Sequence, residues 1–316
     1  IELEEKLANL NWSKAPQGLY TPVEYSMALG GKRIRPVMCL ASCLLFTDNY
    51  QKAIPAALAI EIFHNFTLLH DDVMDKADIR RGNPTVWKKW NANTAILSGD
   101  AMLIEAYKLL AQTDSPAFSM ILNTFNQTAL EVCEGQQYDM EFETRNDVRE
   151  EEYVEMIRLK TSVLLACALK LGAVLADAPQ SDADALYAFG EKMGLAFQLQ
   201  DDYLDVYGDF KVFGKKIGGD ILCNKKTFML INALAKADGK MREELERWLE
   251  ATDYVPEDKV AAVTRIYNEL NIPQLALDKI NSYFEEAKIA LESVQVPDEK
   301  EAYLWELAEQ MLGRKS

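Results

Sequence analysis

Two stretches of this chain, Asp71-Asp72-Val73-Met74-Asp75 and Asp201-Asp202-Tyr203-Leu204-Asp205, repeat one spacing of carboxylates far apart in the sequence. On an α-helix the first and last acids of each stretch are one turn apart and share a face. Like charges so placed destabilise a helix by on the order of a few tenths of a kcal/mol per pair, so a positive partner is expected. Carboxylates suit hard divalent cations, and Mg²⁺ is commonly held by one or two of them together with substrate phosphates. A solvated acidic helix edge would explain either stretch alone. Two copies, each inside an apolar segment, argue for metal sites.

The neighbours support this reading. Ile60 to His70 precedes the first stretch with helical rather than alternating periodicity. Before the second, Gln198, Asp201, Asp202 and Asp205 fall at i, i+3, i+4 and i+7, one polar stripe between apolar flanks. A polar stripe among apolar neighbours predicts a cleft-facing site.

Basic residues gather in a few places. Gly30-Gly31-Lys32-Arg33-Ile34-Arg35-Pro36 sets a flexible turn and three cations before a helix. Glycine lets backbone approach an anion closely, and arginine offers a fork matched to phosphate oxygens. Arg80-Arg81-Gly82 follows the first aspartate stretch, and Lys160-Thr161 interrupts an apolar helical run. The stretch from Gly208 to Thr227, with Gly214-Lys215-Lys216 and Lys225-Lys226, reads as a mobile loop able to close over an anionic ligand. Each cluster alone could be a surface patch; together with the acidic stretches they point to Mg²⁺-bridged diphosphate chemistry. No Gly-x-x-x-x-Gly-Lys-Ser/Thr motif is present, which disfavours an ordinary nucleotide hydrolase.

The elements that must position these groups are helices. Periodic segments run over about 53–76, 94–111, 117–134, 153–175, 183–206, 227–237, 243–250, 259–270, 273–294 and 299–312, with β-type alternation nearly absent. Turn-like breaks fall at Arg81-Gly82-Asn83-Pro84 and Asp177-Ala178-Pro179-Gln180-Ser181. No linker or low-complexity tract marks a boundary, so one all-α domain over 1–316 is expected. The formal net charge of −16 argues against nucleic acid and anionic membrane as partners. Five scattered cysteines and only two histidines argue against zinc and for reduced thiols. The first residues are acidic and amphipathic, unlike a signal peptide, and no stretch is read as a membrane span. A cytoplasmic location is expected.

The motifs from Gly30 to Pro36, Leu68-Leu69-His70-Asp71-Asp72-Val73-Met74-Asp75 with Arg80-Arg81-Gly82, and Phe197 to Asp205 together resemble those of the trans-isoprenyl diphosphate synthases. The resemblance continues through Lys160-Thr161, Gly214-Lys215 and Asp220 to Lys225, covering roughly residues 18 to 230 in the family's order. It implies a bundle of antiparallel helices around a central cavity. It implies head-to-tail condensation of isopentenyl diphosphate with allylic diphosphates to give a short all-trans prenyl diphosphate. Asp71 and Asp75 resemble ligands of two Mg²⁺ ions and Asp201 of a third, with Mn²⁺ as a possible substitute. Asp72, Asp202 and Asp205 would complete the shells directly or through water. Arg80, Lys160 and Lys215 would clamp the allylic diphosphate. Lys32, Arg35, His64 and Arg81 resemble the set for isopentenyl diphosphate, with Lys225 nearby. Thr161 and Gln198 would aim oxygen dipoles at the developing allylic cation. His70 matches the pattern without a chemical step. A homodimer is the family's usual assembly, and the basic tail Arg314 to Ser316 is a candidate to help close the site.

Product length should depend on bulk just before the first motif. Phe66 stands five residues before Asp71 and Phe63 one turn further back, where aromatic rings would block a long tunnel. Thr67 at the next position, and the lack of a two-residue insertion in the motif, resemble archaeal geranylgeranyl synthases. C20 is therefore expected ahead of C15. A class I terpene cyclase would not need Lys32, Arg35 and Arg81, and a head-to-head condensing enzyme lacks the Gly-Gly-Lys-Arg context. A non-catalytic subunit of a heteromeric synthase often loses one aspartate motif, and both are intact here.

Overall fold

The computed structural model describes residues 2–208 and 217–312, and helices make up nearly every element of it. In order they are α1 (Glu2–Ala8), α2 (Gln17–Ala28), α3 (Ile34–Phe46), a 3₁₀ turn (Tyr50–Ala53) continuing into α4 (Ile54–Met74), α5 (Val86–Lys89), α6 (Ala92–Leu110) and α7 (Phe118–Thr144). Then follow α8 (Glu150–Ile157), a π-helical turn (Arg158–Ser162), α9 (Val163–Leu175), α10 (Gln180–Tyr207) and α11 (Gly219–Leu222). The last are α12 (Phe228–Lys236), α13 (Gly239–Glu250), α14 (Pro256–Glu269), α15 (Ile272–Glu292) and α16 (Asp298–Leu312). The expectation of an all-α protein holds. Packing groups the chain into two compact units: Ile1–Phe125 with Cys167–Leu186 and Val296–Leu304, and Asn126–Ala166 with Tyr187–Gln295 and Trp305–Ser316.

In the first unit α4 is the core helix. Pro55 sits in its first turn, where a missing N–H leaves no bond unmade. Ala56, Ala57, Ala59, Ile60 and Ile62 are fully buried, and each large aliphatic side chain so buried stabilises the fold by roughly 1.5–3 kcal/mol. The segment Tyr50–Met74 reaches the length and hydropathy of a membrane span, contrary to the sequence expectation, but 72% of its most apolar window is buried inside the protein. Its apolarity serves packing. The α3 and α9 backbones approach closely where Gly172 faces Cys39, since a Cβ there would stand 2.0 Å from the Cys39 carbonyl oxygen. Ser42 donates to the Leu169 carbonyl 2.6 Å away in the same contact. None of the five cysteines is in a disulfide.

The expected lack of strands has one exception in this unit, an antiparallel hairpin of β1 (Ile79–Arg80) and β2 (Asn83–Pro84). Its two turn residues, Arg81 and Gly82, have φ of 52° and 74°, as a tight hairpin turn of the I′ type requires. Glycine adopts this freely; an arginine there is strained by on the order of 1 kcal/mol and must be held by its partners. Thr85 Oγ1 and Trp87 Nε1 both donate to the Ala77 carbonyl at 2.7 Å, and Tyr25 donates to the Pro84 carbonyl at 2.7 Å. These bonds fix the hairpin beside the C-terminal end of α4.

The core of the second unit gathers Tyr153, Leu199, Phe228, Ile266, Tyr267 and Ile280 from α8, α10, α12, α14 and α15. Thr227 caps α12 by accepting from the Leu230 N–H at 3.4 Å. A single helix was expected over 153–175; the structure breaks it with the π turn at Arg158–Ser162. Such single-turn bulges frequently accompany functional groups, and this one carries Lys160 and Thr161.

Candidate active site residues of the two units

The first aspartate stretch closes α4, with Asp75 as its C-cap residue. Asp72 is 4% exposed, and Arg80, brought back by the hairpin, donates to its Oδ1 from Nε at 2.8 Å, with Nη2 2.8 Å from the same oxygen in the ion pair. Burial raises the Asp72 pKa despite the opposing pull of Arg80. Asp75 is exposed and Asp71 half-buried. Asp72 was expected to complete a metal shell; its carboxylate is instead engaged by the guanidinium expected to clamp a diphosphate.

The Gly-Gly-Lys-Arg turn divides its labour. Arg33, in a left-handed conformation at φ 50°, is buried and pairs with Glu61 at 2.6 Å and Glu4 at 3.0 Å while donating to the Met27 carbonyl. It is an anchor, a role that sequence reading did not assign. Lys32 stands exposed beside it. Arg81 donates to the Gly30 carbonyl. A Cβ at Gly31, where φ is 148°, would come 2.8 Å from the Arg81 Nη2, so the glycine is needed for the guanidinium to lie there. Arg35 Nη1 donates to His64 Nε2 at 3.4 Å, and the buried Arg35 Nε has no protein partner. Burial, then the charges of Arg35, Arg81, Arg80 and Arg33, push the His64 pKa well below its ordinary value. The imidazole is neutral and accepts. Four guanidiniums thus act on one neutral ring, a field that attracts an anion.

The same unit holds the aromatic residues expected to limit product length. Phe63 and Phe66 are buried and pack edge-to-face with centroids 5.4 Å apart. Phe63 meets Phe125 of α7 at 5.3 Å, and Phe125 meets Tyr107 of α6 at 5.2 Å. The wall from other helices that could supplement Phe66 is therefore Phe125 and Tyr107.

The second unit has the opposite electrostatic balance. Asp202 on α10 is 3% exposed, accepts from the Tyr153 hydroxyl, and accepts from Gln198 Nε2 at 3.1 Å. Thr161 donates to Gln198 Oε1 at 3.3 Å, so Thr161, Gln198, Asp202 and Tyr153 form one hydrogen-bonded chain. Burial pushes the Asp202 pKa up to about 7, against the attraction of Lys225. Asp202, too, was expected to face a metal and is held by protein donors. Asp201, the preceding residue of α10, is half-buried. Lys160 pairs with Asp139 at 2.6 Å. Lys225 stands 3.8 Å from Asp220; desolvation lowers its pKa, but the charges of Asp220, Asp202, Asp139 and Asp201 outweigh that and raise it.

Three supports in this unit escaped sequence reading. Asp139 is one. The others are Gly135 and Gly194: a Cβ at Gly135 would lie 2.3 Å from the Lys160 nitrogen, and one at Gly194 would lie 2.7 Å from the Ser162 Cα. α7 and α10 thus press against the π turn, and only glycine permits it. A glycine inside a helical segment was the signal available.

The loop expected to be mobile over Gly208 to Thr227 is corrected in its second half. Asp205 Oδ2 accepts from the Asp220 N–H at 2.9 Å, and the Asp205 carbonyl accepts from the Gly218 N–H at 2.6 Å. Buried Lys259 donates to Asn224 Oδ1 at 2.7 Å and stands over the Tyr254 ring. The segment from Gly218 is therefore fastened to α10 and α14. Lys215 and Arg314 to Ser316 lie outside the described residues.

Among the described residues no three metal-ligating side chains stand together closely enough to hold an ion by themselves. Two carboxylates one turn apart, with phosphate oxygens and water filling the remaining positions, nevertheless suit Mg²⁺. Asp71 with Asp75, and Asp201 with Asp205, offer that donor set. An open pocket of 560 Å³ on α7 and α8 is bordered by Glu134, Glu141 and Glu155, the wrong charge for a diphosphate.

Comparison with known proteins agrees with these features. The sequence pattern of the family described as "Polyprenyl synthetase" matches residues 16–270. Over 302 residues the chain is 38% identical to a geranylgeranyl diphosphate synthase of Methanosarcina mazei, covering 95% of this chain and 91% of that protein. A crystal structure of a geranylgeranyl pyrophosphate synthase, 43% identical, superposes with a TM-score of 0.92 over 100% of this chain and 96% of the other. One from Pyrococcus horikoshii, 32% identical, also gives 0.92, over 99% and 95% of the two chains.

Proposed function

The chain belongs to the polyprenyl synthetase family, and from that premise we propose that it joins isopentenyl diphosphate head-to-tail to allylic diphosphates, with C20 geranylgeranyl diphosphate as the main product. The observation that carries this reading is the pair of aspartate stretches together with the arginine field around His64. The relatives' names support the product length, as does Phe66 before the first motif. Residues 1–316 are read as one isoprenoid synthase domain that works as a homodimer.

Asp71, Asp75 and Asp201 would hold Mg²⁺, three ions in all, with Mn²⁺ able to replace them. When bound, the ions would supply charge neutralisation to the leaving diphosphate. Asp72 and Asp202 keep their motifs in place through Arg80, Tyr153 and Gln198, and Asp205, steadied by the Asp220 N–H, would complete the shell beside Asp201. Arg80, Lys160 and Lys215 bind the allylic diphosphate and stabilise the charge it gains on leaving. For Lys160 that means exchanging the Asp139 carboxylate for phosphate oxygens. Lys32, Arg35, His64 and Arg81 bind the second diphosphate, with Lys225 as a further candidate for that substrate. Neutral His64 adds a hydrogen bond without adding charge. Thr161 and Gln198 present oxygens toward the allylic cation. The alkene of isopentenyl diphosphate then forms the new C–C bond, and a proton leaves to the departing diphosphate. Water must be excluded throughout, or it would capture the cation.

The test is incubation of purified protein with Mg²⁺, isopentenyl diphosphate and C5, C10 or C15 allylic diphosphate, followed by dephosphorylation and sizing. A C20 product from the wild type is expected. Asp71→Ala should lower turnover by roughly 10²–10³-fold, the usual effect of removing one electrostatic stabiliser. Near-normal turnover of that variant at saturating Mg²⁺ would refute the metal assignment. Absence of isopentenyl-dependent elongation in the wild type would refute the reaction.

A further inference from the structure

His70 immediately precedes Asp71, and the condensation gives it no chemical step. The structure sets three close constraints on it, with the Asp100 carboxylate further out, 3.8 Å from Nε2. Its Nε2 lies 3.0 Å from the Ile96 carbonyl oxygen on α6; a carbonyl only accepts, so Nε2 carries the proton. Its ring stands edge-to-face against Phe66, with centroids 4.8 Å apart and planes at 71°. Gly99 of α6 closes the third side. A Cβ there would fall 2.4 Å from His70 Nε2, 2.5 Å from His70 Cδ2 and 3.4 Å from Phe66 Cδ2. Any side chain at position 99 would have to displace this imidazole. The ring contacts then continue from Phe66 through Phe63 and Phe125 to Tyr107, one unbroken ladder that starts beside the first aspartate.

We propose that His70 is a positioning residue for product length, pinned by the Ile96 carbonyl over Gly99 so that it holds the Phe66 ring in one orientation. The inference rests on the reading of Phe66 as the floor beneath the growing chain. Edge-to-face contact biases a ring between orientations by up to about tenfold. A floor made of a single side chain is only as definite as that side chain's rotamer. His70 has the reach and the fixed geometry to set it, and Gly99 leaves the imidazole its place. His70 does so without touching either diphosphate, so the rate of the first condensation should change little compared with the length of the product.

The experiment measures the ratio of the next-longer to the wild-type product, with Mg²⁺, isopentenyl diphosphate and C15 allylic diphosphate, on the full chain. Phe66→Ala, His70→Ala and their double variant are compared, with Gly99→Ala alone and in the His70→Ala background. Phe66→Ala should raise the ratio at least about tenfold, the least expected for a contact in an apolar pocket, and His70→Ala by up to about tenfold, the bias that the ring contact supplies. The double variant should do no more than Phe66→Ala, because His70 acts through that ring. Gly99→Ala should raise the ratio when His70 is present and add nothing when it is absent. His70→Asn, which keeps a hydrogen-bond donor but loses the ring, serves where His70→Ala does not fold, and should raise the ratio likewise. A lengthened product from Phe66→Ala alongside an unchanged ratio in the His70 and Gly99 variants would overturn the positioning role alone. An unchanged product from Phe66→Ala would remove the floor reading and this inference with it.

Discussion

The two aspartate stretches share a spacing and sit in opposite electrostatic surroundings. Around the first, guanidiniums dominate: buried Asp72 is charge-paired with Arg80, and nearby His64 is kept neutral. Around the second, carboxylates dominate among the described residues: Asp202 is bonded there by neutral donors and burial pushes its pKa up to about 7, while four aspartates hold Lys225 protonated. One motif therefore lies in a field that draws anions and the other in a field that draws cations. A buried acid can be kept in place by a counter-charge or by neutral hydrogen bonds, and this chain uses each once. In both, the second aspartate of the motif is the inward-facing one.

That contrast can be broken experimentally. Arg80→Met should leave Asp72 as a buried, unpaired carboxylate and lower stability by about 3 kcal/mol, the low end for breaking a buried pair, because Arg80 is itself 31% exposed. Tyr153→Phe removes one neutral donor from Asp202 and should lower stability by about 1–3 kcal/mol, with Gln198 still bonded. Urea unfolding of the two variants side by side decides the matter. A loss from Arg80→Met no greater than that from Tyr153→Phe would mean the two middle aspartates are held alike.

The smallest effect is a pH slope. In the folded chain His64 stays neutral, whereas unfolded it protonates with an ordinary pKa of about 6.5. Below that pH the unfolded state binds the extra proton, so stability is complete above it and falls as pH drops. The fall approaches about 1.4 kcal/mol per pH unit for the one group. His64→Gln should lack this component, so the difference between the two proteins' unfolding free energies should narrow or widen with pH only below about 6.5. A constant difference between pH 5 and 8 would show that burial and the arginine charges do not suppress His64 ionisation.

Much of the site was legible because its side chains had to be of particular types at helical spacing. The acids of both stretches, the Gly30-Gly31 turn and Lys160-Thr161 stand out from their apolar context in one dimension. Their supports do not. Nothing in the spacing of Arg33 separates an anchor from a ligand; burial against Glu61 and Glu4 does. Asp139 and Tyr153 lie 21 and 49 residues from the groups they hold, beyond the reach of any periodicity.

The sequence by itself determined the all-α class, since hydrophobic periodicity is a property of neighbouring residues. It also determined the family, through motifs whose order and chemistry are local. Only the tertiary structure decided which carboxylates turn inward, where the π turn interrupts a continuous helical pattern, and that Gly135, Gly194 and Gly99 are contact points rather than weak helix formers. Those outcomes depend on distances between backbones remote in sequence, where a single methyl group either fits or collides.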